Sequence, residues 1–171
     1  VALDRHEHSR SRELLAKLAQ RAIATSELFD EFARVDRIPR LSNGRRENDV
    51  EHSFSLATIA TNLAKELRPG LNINRIRLFS LVHDMLEIKT GDVATFSTSP
   101  EEQAEKERRE KEALNELLAE LPPLEAKALR KYEKQDTPEA RWTRYVDKML
   151  AILVDITGQG VRVVEEDFGV T

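Results

Sequence analysis

From Val50 to Leu67 the apolar residues Phe54, Ala57, Ala60, Leu63, Ala64 and Leu67 recur at helical spacing. No stretch of useful length alternates apolar with polar residues, as a half-buried strand must. The same helical period returns elsewhere. Leu14, Leu15, Leu18, Ala19, Ala22 and Ile23 predict one helix, and Leu28, Phe29, Phe32 and Val35 a second, after a Thr25/Ser26 cap. Asp36–Asp49 (DRIPRLSNGRREND) reads as a loop by composition. Pro69-Gly70 ends the Val50–Leu67 helix. Asn72 or Asn74 can cap the next, which runs to about Lys89 and exits at Thr90-Gly91. Ser99-Pro100-Glu101-Glu102 is a start signal for a highly charged helix that Pro122-Pro123 stops. A shorter helix covers about Leu124–Lys134. Thr137-Pro138 opens a long one that ends near Gly158, and a VRVV piece lies in the tail. The expected fold is all-α, with about seven helices around one core. Residues 26–158 form the expected domain. Residues 1–25 are an N-terminal extension expected to pack on it as a helix, and 159–171 a C-terminal tail.

Composition narrows the function classes. With 171 residues the chain suits a single domain. Its 40% hydrophobic and 34% charged residues suit a globular protein with solvated helix faces. A net charge of -4 gives no global field for gripping nucleic acid or an anionic membrane. Any phosphate must therefore be met by locally supplied positive charge. The absence of cysteine excludes disulfides and thiolate zinc sites and fits a reducing cytosol. VALDRHEHSR has no signal-peptide apolar run, and no segment has the roughly 20 apolar residues of a membrane span, so the expected compartment is the cytoplasm.

Against this background LVHDMLEIKTGD (residues 81–92) is out of place, because it sets ionisable groups inside an apolar helical pattern. Burying charge is costly unless the charge is paired or bound to a metal. His52, His83, Asp84 and Asp147 each sit in such an apolar context. Together they offer imidazole and carboxylate ligands of the kind that suit Zn, Mn, Fe, Co or Ni. A lone His on an amphipathic helix is more often a hydrogen-bonded histidine than a ligand. Asp147 beside Lys148 fits a surface ion pair equally well. Glu87 lies four residues after His83, so both are expected on one face of one helix. A carboxylate near a metal but not on it can move a proton. Asp92, just after Gly91, can return a loop carboxylate over the same place.

Taken in order, Arg37-Ile38-Pro39-Arg40, Arg46-Glu47-Asn48, Glu51-His52-Ser53, the His83–Asp92 stretch HDMLEIKTGD and Asp147 resemble the H…HD…D pattern of HD-domain metal-dependent phosphohydrolases. The resemblance is to their small single-domain 5′-deoxynucleotidase branch and covers about Leu28 to Ile156. It implies a compact helical bundle that removes the 5′-phosphate from deoxynucleoside monophosphates. It also implies one divalent metal ion (Co, Mn, Zn, Fe, Ni or Mg) on His52, His83, Asp84 and Asp147. Glu87 and Asp92 become the catalytic carboxylates. Arg37, Ile38, Thr90 and Asp92 become substrate contacts, with Arg37 on the phosphate. The implied assembly is a homodimer with a small-molecule nucleotide as substrate.

The match has departures. Val93-Ala94 follow Gly91-Asp92 where relatives often carry a Pro or a hydroxyl. Ile38 stands where some have an aromatic, and Leu41-Ser42-Asn43 replace a Gly-Trp. These changes near the expected nucleoside pocket keep open a di- or triphosphate or an alarmone as substrate. The charged Glu101–Glu116 helix keeps open a third alternative, a metal-stapled nucleotide-sensing or interaction module.

Overall fold

A computed structural model describes residues 2–91 and 100–157. The elements run α1 (Ala2–Phe32), β1 (Asp36–Arg40), β2 (Arg46–Asn48), α2 (Asp49–Leu67), α3 (Ile73–Val82), α4 (Glu87–Thr90), α5 (Pro100–Glu120), α6 (Pro123–Glu133) and α7 (Pro138–Thr157). The all-α expectation holds, with six helices of ten residues or more and the single-turn α4. Among the described residues no helix is long and apolar enough to cross a membrane. The VRVV piece and Ser99 lie outside the described residues.

Two expected boundaries are corrected. The two helices expected before residue 36 are one. The Thr25 hydroxyl donates to the Arg21 carbonyl at 2.8 Å, one turn back, and so serves a helix interior instead of a cap. The first 25 residues were expected to pack on the domain, yet residues 8–24 are exposed throughout. Among the described side chains of α1, only Leu28 and Phe32, near its end, are buried. Conversely, the helix expected to reach Lys89 stops at Val82. The Nδ1–H of His83 donates to the Ser80 carbonyl at 2.9 Å, the acceptor that a continuing helix would offer to the N–H of Asp84. Tighter bonds follow, Met85 N to Val82 O and Glu87 N to Asp84 O, before α4 begins.

The Asp36–Asp49 segment is likewise no plain loop. β1 and β2 form a short antiparallel hairpin pairing Asp36 with Asn48 and Arg40 with Arg46. Gly44, at φ 83°, turns the chain between them, a conformation that costs glycine little. The hairpin feeds directly into α2, whose Asn48 and Glu51 form a capping box. Asn72 caps α3 and Thr137 caps α7, each accepting from a backbone N–H of the first turn.

Two apolar clusters hold the helices. Phe32, Phe79, Val82, Met85, Leu117, Leu129 and Tyr132 join α1, α3, α5 and α6. Leu56, Ala60, Ala64, Ile76, Val146 and Leu150 join α2, α3 and α7. Helix α3 contributes to both, Ile76 to the second cluster and Phe79 and Val82, nearer its C-terminal end, to the first. The Trp142 indole N–H donates to the Ala60 carbonyl at 3.0 Å and fixes the register of α7 on α2.

Candidate metal centre

Two candidate ligands, His52 and Asp147, sit along the core-facing side of a helix, and two, His83 and Asp84, in the turn that ends α3. On α2 the buried positions are Asp49, His52, Ser53, Leu56, Ala60, Thr61 and Ala64, so His52 occupies the core-facing side near the helix start. On α7 the core-facing Thr143, Val146 and Leu150 bracket Asp147, which turns inward and away from its exposed neighbour Lys148. His83 ends α3, and the tight turn after it redirects Asp84 toward the same point. His52, His83, Asp84 and Asp147 each bring one ligand atom to within 4.8 Å of all the others. His52 is 0% exposed and His83 4% exposed.

The hydrogen bonds set the tautomers that a cation needs. The Nδ1–H of His52 faces Glu47 Oε2 at 3.2 Å, and its Nε2 lies 2.9 Å from Asp147 Oδ1. The Nδ1–H of His83 is taken by Ser80 O. Its Nε2 is buried without a hydrogen bond, although Asp84 Oδ2 is 2.9 Å and Asp147 Oδ1 3.5 Å away. Both imidazoles thus anchor Nδ1 and point Nε2 at carboxylates, the arrangement of a ligand histidine with an outer carboxylate or carbonyl. The orphaned, buried Nε2 of His83 fits a cation held by this quartet.

The charges in the cluster press on one another. Burial opposes charge on His83, but Asp84 and Asp147 outweigh it and push the group up to about 10. Burial also opposes charge on His52, and its bonds to Asp147 and Glu47 raise it nonetheless. Asp147 is pulled well below the usual carboxylate range by both imidazoles, against burial. Asp84 is lowered by His83 and Arg37, again against burial. The imidazoles and carboxylates so favour one another's charged forms. A metal would take the imidazoles in their neutral form and compete with that pairing.

The remaining expected residues are placed as follows. Arg37 on β1 pairs with Asp84, and its Nη1 donates to Asp49 Oδ1 at 3.0 Å. Arg37 is therefore at the site, but its charge is already shared among carboxylates, with Glu87 also within electrostatic reach. Ile38, next on the strand, is half-buried. Glu87 opens α4, so it is one tight turn from His83 and not on a shared helix face. It lines a cavity of about 440 Å³ with Glu31, Arg34, Val35, Asp36, Ile88 and Gly91. The Thr90 hydroxyl donates to the Leu86 carbonyl at 3.3 Å, within its own short helix. Gly91, at φ 69°, closes α4. Asp92, Val93 and Ala94 lie outside the described residues.

Two residues at the site carry no role in the sequence pattern, Glu47 and Asp49. Both are buried, at 3% and 0% exposure. The signal for Glu47 is the alternation of β2, half-buried, buried, half-buried, which a three-residue strand makes too short to notice. Asp49 looks like the polar end of a loop.

Residues 29–170 match the HD domain family, and the chain belongs to it. It is 34% identical over 113 residues to the 5′-deoxynucleotidase HDDC2 of Homo sapiens, across 64% of this chain and 53% of that protein. It is 35% identical over 94 residues to a 5′-deoxynucleotidase of Yersinia pestis (strain Pestoides F), across 52% and 48%. The chain spans about half the length of the curated relatives it matches. The structure is similar to that of a predicted metal-dependent phosphohydrolase from Magnetospirillum magnetotacticum MS-1, with a TM-score of 0.71 and 31% identity over 90% of this chain and 77% of that one. A conserved hypothetical protein from Pyrococcus furiosus, 21% identical at a TM-score of 0.57, shares the fold.

Proposed function

We propose that the chain is a metal-dependent phosphohydrolase that removes the 5′-phosphate of deoxynucleoside monophosphates. One observation carries this reading: four ligand atoms from three distant elements converge within 4.8 Å, with both imidazoles holding Nε2 toward the cluster. The names of the curated relatives support the deoxynucleotide as the substrate class.

His52, His83, Asp84 and Asp147 would hold one divalent cation. When bound, that ion supplies Lewis-acid activation of a phosphoryl oxygen and of water. Arg37 orients the phosphate with its guanidinium. Water attacks phosphorus and the bond to the 5′-oxygen breaks. Glu87 delivers the proton that lets the sugar leave as an alcohol. The cavity lined by Glu87 gives the nucleoside room. Asp92 assists Glu87 or holds the sugar. Ile38 and Thr90 line the approach, and the chain acts as a homodimer.

The test is phosphate release from a panel of deoxynucleoside monophosphates by protein loaded with Co²⁺ or Mn²⁺. Turnover of monophosphates to inorganic phosphate supports the reading. Pyrophosphate or triphosphate released from longer nucleotides replaces the substrate, and no turnover of any nucleotide by metal-loaded protein sinks the activity.

A further inference from the structure

Asp49 is a fully buried carboxylate that the metal quartet does not use. It is the first residue of α2, where an acid benefits from the helix dipole. A dipole role, however, requires neither burial nor an arginine. Here Asp49 Oδ1 accepts from Arg37 Nη1 at 3.0 Å, and the same nitrogen reaches Asp84. Glu47 Oε2 stands 3.9 Å from Arg37 Nε, too far to accept from it. That Nε–H is buried with no hydrogen-bond partner, so the protein leaves one guanidinium donor unspent. One buried side chain from the start of α2 therefore holds the arginine that the proposed reaction sets on the phosphate.

We propose that Asp49 is a positioning residue that pins Arg37 by Nη1, so that its unspent Nε–H meets a phosphate oxygen. The inference rests on the phosphohydrolase reading above. A guanidinium held at one nitrogen by two carboxylates from different elements loses less freedom when phosphate arrives. Without Asp49, Arg37 keeps Asp84 as its sole partner among these two and can rotate about that contact.

The test uses the full chain loaded with Mn²⁺ and inorganic phosphate as the probe, its binding followed by calorimetry. Asp49→Ala and Arg37→Ala are each expected to weaken phosphate binding about ten- to a hundredfold, the scale of a charge-assisted hydrogen bond. The double variant should be no weaker than the weaker single one, because both changes remove one device. Asp49→Asn, which keeps an acceptor oxygen, should lose less, and it carries the test if Asp49→Ala does not fold. Bound metal should stay unchanged in every variant. Additive losses in the double variant would overturn the proposal. So would a lowered Tm with unchanged phosphate affinity, the mark of a dipole role, or wild-type protein that binds no phosphate. Failure of the nucleotide panel alone would remove the enzymatic reading and leave this binding result standing.

Discussion

The metal centre and the N-terminal two-thirds of α1 break the inside–outside rule in opposite directions. At the centre, His52, His83, Glu47 and Asp49 are buried although each is ionisable. Along α1, Leu14 is 57%, Leu15 65% and Ile23 59% exposed although each is apolar. The buried charges have partners within the chain: carboxylates face imidazoles, and one arginine is shared among carboxylates. The exposed leucines, among the described residues, have none of that kind. Helical period by itself therefore says which residues share a face. It does not say whether the face is covered.

The largest expected effect lies at the buried end. His83→Ala should lower phosphate release about a thousandfold or more, since it removes a ligand and with it several kcal/mol of transition-state stabilisation. Glu87→Gln should cost about a hundredfold in kcat while bound metal, read by elemental analysis, stays the same. If both variants lose metal equally, Glu87 belongs with the ligands and the division of roles fails. Glu47→Gln should weaken metal binding about tenfold, measured by competition with a chelating dye, because it loosens the His52 tautomer without removing a ligand.

Stability against pH sharpens the contrast further. In metal-free protein His83 is raised from 6.5 to about 10 by Asp84 and Asp147 against burial. Its stabilisation is therefore fully present below pH 6.5 and is lost as pH rises from there through 10. The metal-loaded protein should show the reverse trend near neutrality, since only neutral imidazoles bind a cation and protons leave as pH rises. Denaturant unfolding with chelator and with excess Mn²⁺ should give curves of opposite slope. The smallest effect belongs to α1. Leu15→Glu should change unfolding free energy by no more than about 0.5 kcal/mol, whereas Leu56→Ala, in the core beneath the site, should cost about 2–5 kcal/mol.

How far the sequence reaches can be seen at individual residues. The candidate ligands drew notice as ionisable groups in apolar helical surroundings, and the structure gathers His52, His83, Asp84 and Asp147 at one place. The apolar stripe of the Val50–Leu67 helix was less exact, since Ala60 and Ala64 are buried but Phe54 and Leu67 are 71% and 63% exposed. The break after Val82 was not legible, because its cause is a side-chain bond, His83 to the Ser80 carbonyl, that leaves no mark on periodicity. Thr25 misled for a related reason, since a threonine can cap a helix or bond back one turn, and composition does not choose. The hairpin escaped notice because β2 has three residues, fewer than an alternation needs to stand out. Asp49 and Glu47 went with it. Their importance comes from a long-range meeting with Arg37 and His52, which only the folded chain displays.

The metal quartet is open to one direct measurement. Protein is loaded with Mn²⁺, dialysed and analysed for bound metal, as wild type and with His83→Ala, Asp147→Ala and Leu18→Glu. One ion per chain is expected in the wild type and in Leu18→Glu, and none in the two ligand variants. A wild type that retains no ion, or ligand variants that retain theirs, would contradict a metal centre at His52, His83, Asp84 and Asp147.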